Sequence, residues 1–171
     1  MSELIIPTER EDLFLREVTD TEDIAWFLAI RQFTYPARPN EPDAPDYAAY
    51  RRLRQARRHD PAGTLTTGIW RRDTFTGYIG LEPVQNRSDV VTVGYRLARQ
   101  YRGEGYATAA LKAISQYAFE KLGIQTIEAR TRPHNQDSRN VALRAGYELL
   151  SSHTNTLVYA REAPEAPTET G

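Results

Sequence analysis

Arg102-Gly103-Glu104-Gly105-Tyr106-Ala107 is the stretch from which the rest of this chain can be read. It follows an apolar run, Val90-Val91-Thr92-Val93-Gly94-Tyr95-Arg96-Leu97, with the character of a strand, and it opens a segment of helical periodicity over residues 106–122. Glycine-rich backbone therefore falls where a helix begins. The first turn of a helix presents four N–H groups without an intrahelical acceptor, together with the positive end of the helix dipole. With no side chain at 103 or 105 a phosphate can come close to those donors, so the stretch predicts an anion cradle.

Upstream of this loop, residues 65–70 and 76–84 read as strands joined by a turn around Arg72-Asp73-Thr74. Asn86-Arg87-Ser88 then leads into the strand at 90–97, giving an antiparallel meander. Residues 12–18 alternate Leu13 and Leu15 against Phe14 and Arg16, the pattern of a first strand. Thr19-Asp20-Thr21-Glu22 is a capping box ahead of Ile24, Phe27 and Leu28, which predicts an amphipathic helix. Pro36, Pro39, Pro42 and Pro45 break the next stretch into an irregular loop. Residues 47–59 then read as a second helix, with Tyr47, Tyr50 and Leu53 on one side and Arg51, Arg52, Arg54, Arg57 and Arg58 spread around a solvated face.

Downstream, Ala107, Ala110, Leu111, Ile114 and Ala118 form one stripe of the helix at 106–122, and Gly123 ends it. A strand at 126–131 follows. Asn135-Gln136-Asp137-Ser138 offers N-caps for a short helix through Ala145, ended by Gly146, before strands at 147–153 and 156–160. From Glu162 onward the sequence has almost nothing to bury and is expected to be a disordered tail, which leaves residues 1–161 as a single domain.

Composition narrows the function. The 171 residues, 40% of them apolar, can bury one sizeable core, and 22 basic residues against 23 acidic ones give no bulk attraction for nucleic acid or an anionic membrane. Any anion site must be local. With no run of about 18 apolar residues and an acidic N-terminus, a soluble cytoplasmic protein is expected. The chain has no cysteine, so covalent catalysis through sulfur is excluded; His59, His134 and His153 lack the spacing of a metal site, so no metal is expected.

Three glycine-loop patterns can be tested against the register. A P-loop ends in Gly-Lys-Ser/Thr, and here Gly105 is followed by Tyr106-Ala107. A dinucleotide fingerprint needs a third Gly or Ala at 108, where Thr108 stands. Glu128 lies near where its ribose-binding acid would fall, which keeps a Rossmann-type nucleotide binder as an alternative. The third pattern, Arg/Gln-x-x-Gly-x-Gly/Ala, is met by Arg102, Gly105 and Ala107. In these residues the chain resembles the GNAT superfamily of acyl-CoA-dependent N-acetyltransferases. Asn135-x-x-Ser138 followed by Val141-Ala142-Leu143-Arg144-Ala145-Gly146-Tyr147 is similar to the late helix and strand of its RimJ/RimL-like branch.

That resemblance implies an α/β (α+β) fold with a mixed, mostly antiparallel sheet, splayed at its central strand and flanked by about four helices. It further implies that main-chain groups near Tyr95, Arg96 and Leu97 pair with the pantetheine of acetyl-CoA. N–H groups of Arg102, Gly103, Glu104, Gly105, Tyr106 and Ala107 would hold its pyrophosphate, and Asn135 and Ser138 would lie against the thiol end. Many members protonate the leaving thiolate with a tyrosine seven residues after the motif asparagine. Here Ala142 occupies that position, which shifts the role to Ser138, with Tyr95 a weaker candidate.

Acetyl transfer also needs a neutral amine. An α-amine is about a quarter neutral at cellular pH and a lysine about a thousandth, a difference of about 3 kcal/mol. The resemblance to the RimJ/RimL-like branch, together with this proton economy, implies a peptide or protein N-terminus as acceptor, with a small-molecule amine as the rival. Glu82, at a strand end in Gly80-Leu81-Glu82-Pro83, is the candidate base, and the oxyanion would be met by a backbone N–H near 95–97. The missing tyrosine also keeps open a non-catalytic acyl-CoA sensor, and the late strands leave a homodimer open.

Overall fold

The computed structural model describes residues 4–18 and 65–165. The expected helices at 22–31 and 47–59 and the proline-rich loop between them lie outside the described residues. Within them, eight strands form one sheet in the order β1-β2-β3-β4-β5-β6-β8-β7. They are β1 (Ile5–Pro7), β2 (Leu13–Glu17), β3 (Leu65–Arg71), β4 (Thr74–Val84), β5 (Arg87–Leu97), β6 (Thr126–Thr131), β7 (Glu148–Ser152) and β8 (Leu157–Glu162). Two helices, α1 (Tyr106–Lys121) and α2 (Gln136–Arg144), follow β5 and β6. No helix among the described residues is long and apolar enough to cross a membrane.

The antiparallel meander is present: β3 pairs with β4 and β4 with β5, and Arg72 and Asn86 take up positive φ in the two turns. Of the described strand pairs, only β5 with β6 is parallel. This topology removes the Rossmann-type alternative, which requires successive parallel crossovers. Glu128 is correspondingly no ribose ligand: it is buried in β6 and paired with Arg87 at 3.3 Å and Arg130 at 3.7 Å.

β1 is an edge strand that alternation did not disclose, because three residues ending in proline carry too short a period; Pro7 is tolerated there since an edge has one unpaired side. At the other end, composition understates the sheet. Glu162 pairs with Thr126, and the Ala163 N–H donates to Gln125 O at 2.8 Å, so ordered pairing continues past the expected start of the tail. Main-chain pairing needs no apolar side chain, which is why the composition gave no sign of it.

α1 lies against one face of the sheet. Leu13, Leu15, Ile69, Ile79, Leu81, Val91, Val93 and Ile127 meet Ala110, Leu111, Ile114 and Ala118 in one continuous core. Leu111 and Ile114 are fully buried, each stabilising the fold by about 1.5–3 kcal/mol. The buried face of α1 is broader than the expected stripe: Tyr106, Ala109, Ala113 and Ser115 join it, while Ala107 is only partly covered. Ser115 is tolerated because its hydroxyl donates to Leu111 O at 2.6 Å and meets the Tyr147 hydroxyl at 2.7 Å.

Candidate functional site

β5 is paired with β4 along its length, from Val84↔Arg87 to Gly77↔Leu97, but with β6 only from Val90↔Thr126 to Val93↔Ala129. Beyond Val93 the two strands part, and β6 continues to Thr131 paired only with β8. The sheet therefore forks at Gly94, the splay the family resemblance implies, and a glycine leaves the mouth of the fork free of a side chain. Residues 94–97 present an edge that β6 no longer covers, which is what an amide-bearing ligand arm would pair with.

The glycine loop closes this end of the fork. A short 3-10 turn, Arg99–Tyr101, follows β5; Gly103 and Gly105 both sit at φ 81°, and Gly105 is the N-cap of α1 without any side-chain cap. Among the described residues, the N–H groups of residues 103–108 donate to no protein acceptor, and the ladder of α1 begins with the Ala109 N–H on Gly105 O at 3.2 Å. Six consecutive main-chain donors are thereby left for a ligand. Two details differ from expectation. The Arg102 N–H is taken by Arg99 O at 3.3 Å and its Nε donates to Leu97 O at 3.1 Å, so Arg102 braces the loop instead of contributing its main-chain donor. At the other end the free donors run one residue further, to Thr108.

The flank of the fork opposite the loop is made by the start of α2. Asn135 is its N-cap, with Oδ1 accepting from the Ser138 N–H at 3.2 Å, so Ser138 is not itself the cap and its hydroxyl stays available. The Tyr95 hydroxyl lies 3.3 Å from Ser138 Oγ and 3.4 Å from Ser138 O. Two residues considered separately in the sequence thus meet across the fork. Burial raises the Tyr95 phenol above its ordinary value, against a smaller lowering by Ser138, so the side chain is a neutral donor at physiological pH. At the end of β6 the Thr131 hydroxyl is buried without a hydrogen-bond partner, an orphan of the kind a ligand satisfies.

Ala142 is buried in the core, where its carbonyl accepts the Tyr147 N–H at 3.0 Å. Tyr147 does not substitute: its hydroxyl is committed to Ser115, and burial pushes its phenol up.

Glu82 is elsewhere. Side-chain alternation puts Ile79, Leu81, Val93 and Tyr95 on the face toward α1 and Glu82, Thr92 and Glu128 on the opposite face, in one cross-strand row Glu82↔Thr92↔Glu128. Glu82 is exposed and in no described ion pair, whereas Glu128 is buried between arginines. Tyr95 and Ser138 thus lie at the fork on one face, and Glu82 lies on the other face, level with Thr92, where β5 and β6 are still paired. Among the described residues no group of three His, Asp or Glu is placed to hold a metal.

Comparison with known proteins agrees with this architecture. Residues 12–148 match the model of the acetyltransferase (GNAT) domain. The chain is 31% identical over 104 residues to the FsC-acetyl coenzyme A-N(2)-transacetylase of Aspergillus fumigatus, covering 57% of this chain and 43% of that one. The matched stretch spans less than half the length of this curated relative. Among solved structures, the Mycobacterium smegmatis RimJ in complex with CoA-disulfide superposes with a TM-score of 0.74 at 24% identity, over 98% of this chain and 92% of that one. The ribosomal L7/L12 alpha-N-protein acetyltransferase RimL, in its apo form, superposes with a TM-score of 0.73 at 18% identity, over 95% and 96%. At those identities the structures speak for the fold alone. With its forked sheet, its glycine-cradled helix and a family match running from the second strand to the start of the seventh, the chain belongs to the GNAT acetyltransferase family.

Proposed function

We propose that the protein transfers an acetyl group from acetyl-CoA directly to a primary amine, and that the amine is a peptide or protein N-terminus. The observation that carries this reading is the row of six N–H groups at 103–108 with no acceptor among the described residues, set at the end of a fork where β6 no longer covers β5 beyond Val93. That arrangement fits a diphosphate with an amide-bearing arm running from it into the sheet. The orphan Thr131 hydroxyl fits the same arm.

Acetyl-CoA supplies an activated acyl group and a thiolate that must be protonated as it leaves. Ser138, with its hydroxyl against the neutral Tyr95 phenol, is the proton donor or thiol-orienting group; Tyr95 holds that hydroxyl in place, and a proton given up by Ser138 is replaced from solvent. Glu82 stands on the other face of the sheet, where it receives the ammonium proton of the acceptor directly or through water. A main-chain N–H near 95–97 faces the oxyanion. Donor and acceptor sides of the reaction are then separated by the sheet and joined only through the fork. The α-amine acceptor is supported by proton economy and by the name of the RimL neighbour, an alpha-N-protein acetyltransferase.

The test is thiol release from acetyl-CoA against a panel of N-terminal peptides and small amines, with calorimetry on acetyl-CoA, CoA and NAD. Turnover with unblocked peptides and none with N-terminally blocked ones is expected, with heat from both CoA species and none from NAD. Turnover confined to small amines would replace the acceptor. Binding without turnover on any amine would make the protein an acyl-CoA sensor.

A further inference from the structure

The hairpin between β1 and β2 reaches the glycine loop. Arg10, in its turn, donates from Nη1 to the carbonyl of Glu104, and its guanidinium lies 4.7 Å from the centroid of the Tyr106 ring. Tyr106 in turn stacks on Tyr101 at 6.4 Å with the rings inclined by 21°. Arg10 is itself fixed. The Thr8 hydroxyl accepts from the Arg10 N–H at 3.1 Å and donates to Leu13 O at 2.8 Å. Asp12 lies 3.7 Å from the Arg10 guanidinium, and the neighbouring Glu9 pairs with Lys112 of α1 at 3.4 Å. A segment 94 residues away in sequence is thereby clamped onto the Glu104–Gly105 peptide, between the two left-handed glycines.

We propose that Arg10 is a positioning residue for recognition of the CoA diphosphate, acting through the Glu104–Gly105 peptide. In a trans peptide the C=O and the following N–H point in opposite directions. With the Glu104 carbonyl held toward Arg10, the Gly105 N–H faces away from it and stays available beside the other free donors of the loop. The peptide could otherwise turn over at low cost, because Gly105 at φ 81° has no side chain to resist. The guanidinium also places a positive charge behind the loop, on the side away from the ligand, where it adds to the helix dipole without blocking approach. Lysine cannot reproduce this: it has no planar fork to bond a carbonyl while lying on a ring.

This inference rests on the CoA reading, and the experiment separates the two. Arg10→Met and Arg10→Lys are compared with the wild type using acetyl-CoA and S-acetylpantetheine, which has the same thioester but no diphosphate. For Arg10→Met the KM for acetyl-CoA is expected to rise about tenfold, the scale of a lost charged hydrogen bond, with kcat within about twofold. Arg10→Lys should recover only part of that loss, and kcat/KM with S-acetylpantetheine should be unchanged in both variants. A loss falling equally on the two donors, or no loss with acetyl-CoA, overturns the role. Absence of acetyl-CoA binding to the wild type overturns the CoA reading together with it, whereas wild-type binding matched by Arg10→Met overturns this inference alone.

Discussion

The two ends of the fork are made of different materials. The glycine loop is main chain: free N–H groups at 103–108, two residues at φ 81°, and side chains such as Arg102 and Arg10 that hold the backbone. The opposite flank is side chain: a phenol from β5 and a hydroxyl from α2, 43 residues apart, brought within 3.3 Å by tertiary packing. A diphosphate carries a fixed charge that repeated identical donors can meet, so its site tolerates changes of side chain and not of backbone conformation. A leaving thiolate needs one proton at one atom, so its site tolerates the reverse. Substitutions should therefore divide into those that change affinity and those that change turnover.

The largest effect is expected at the side-chain end. Ser138→Ala should lower kcat about a hundredfold, the lower range for a positioned proton donor, with acetyl-CoA affinity by calorimetry unchanged. Tyr95→Phe should lower it by less, because Ser138 still faces the thiol. Full turnover in Ser138→Ala would move the proton donor to Tyr95 or to water. At the main-chain end, Gly105→Val should cost about 1–3 kcal/mol of stability, since a β-branched residue is strained at positive φ. That variant should also weaken acetyl-CoA binding while kcat at saturation stays near the wild-type value. If it lowered kcat as strongly as Ser138→Ala, the two ends would not be separable.

A smaller effect distinguishes acceptors. With an α-amine already about a quarter neutral, Glu82→Gln should cost about fourfold in kcat/KM near neutral pH and nothing by about pH 9, where the amine is free without help. A loss of several hundredfold at neutral pH would mean an acceptor of lysine-like basicity, for which deprotonation is the larger task.

The same division explains what the sequence discloses. Main-chain function leaves a local signature: Gly103 and Gly105 between a strand and a helix are readable because glycine spacing reports backbone geometry, and the fork was implied only through the family pattern built on that spacing. The meander, α1 and α2 were likewise legible from alternation, helical stripes and caps. The Tyr95–Ser138 contact was not, since nothing local says which residues meet across a gap. Neither was Arg10, whose role depends on β1, a strand too short to show a period; the apolar pair Ile5-Ile6 before Pro7 was the only available sign. The faces of Glu82 and Glu128 follow from alternation once register is known, but register is a property of the folded sheet.

Tyr147 gives the smallest and most discriminating effect, because it is a buried tyrosine that should have no part in turnover. It is 2% exposed, its hydroxyl is 2.7 Å from Ser115 Oγ, and Ser115 also donates to Leu111 O. In Tyr147→Phe the serine keeps that acceptor, so no buried donor is orphaned and the cost at neutral pH should be about 1 kcal/mol. Burial raises the folded phenol above its ordinary value of 10.0. The stability this contributes is whole below that value and is lost as pH rises through the folded one, because the unfolded tyrosine ionises first. Urea unfolding from neutral pH to about pH 11 should therefore show the wild type losing stability more steeply than Tyr147→Phe above about pH 10, so that the two curves converge. Turnover of the variant should match the wild type throughout. A collapse of kcat in Tyr147→Phe would mean that Tyr147 replaces Ser138 in delivering the proton.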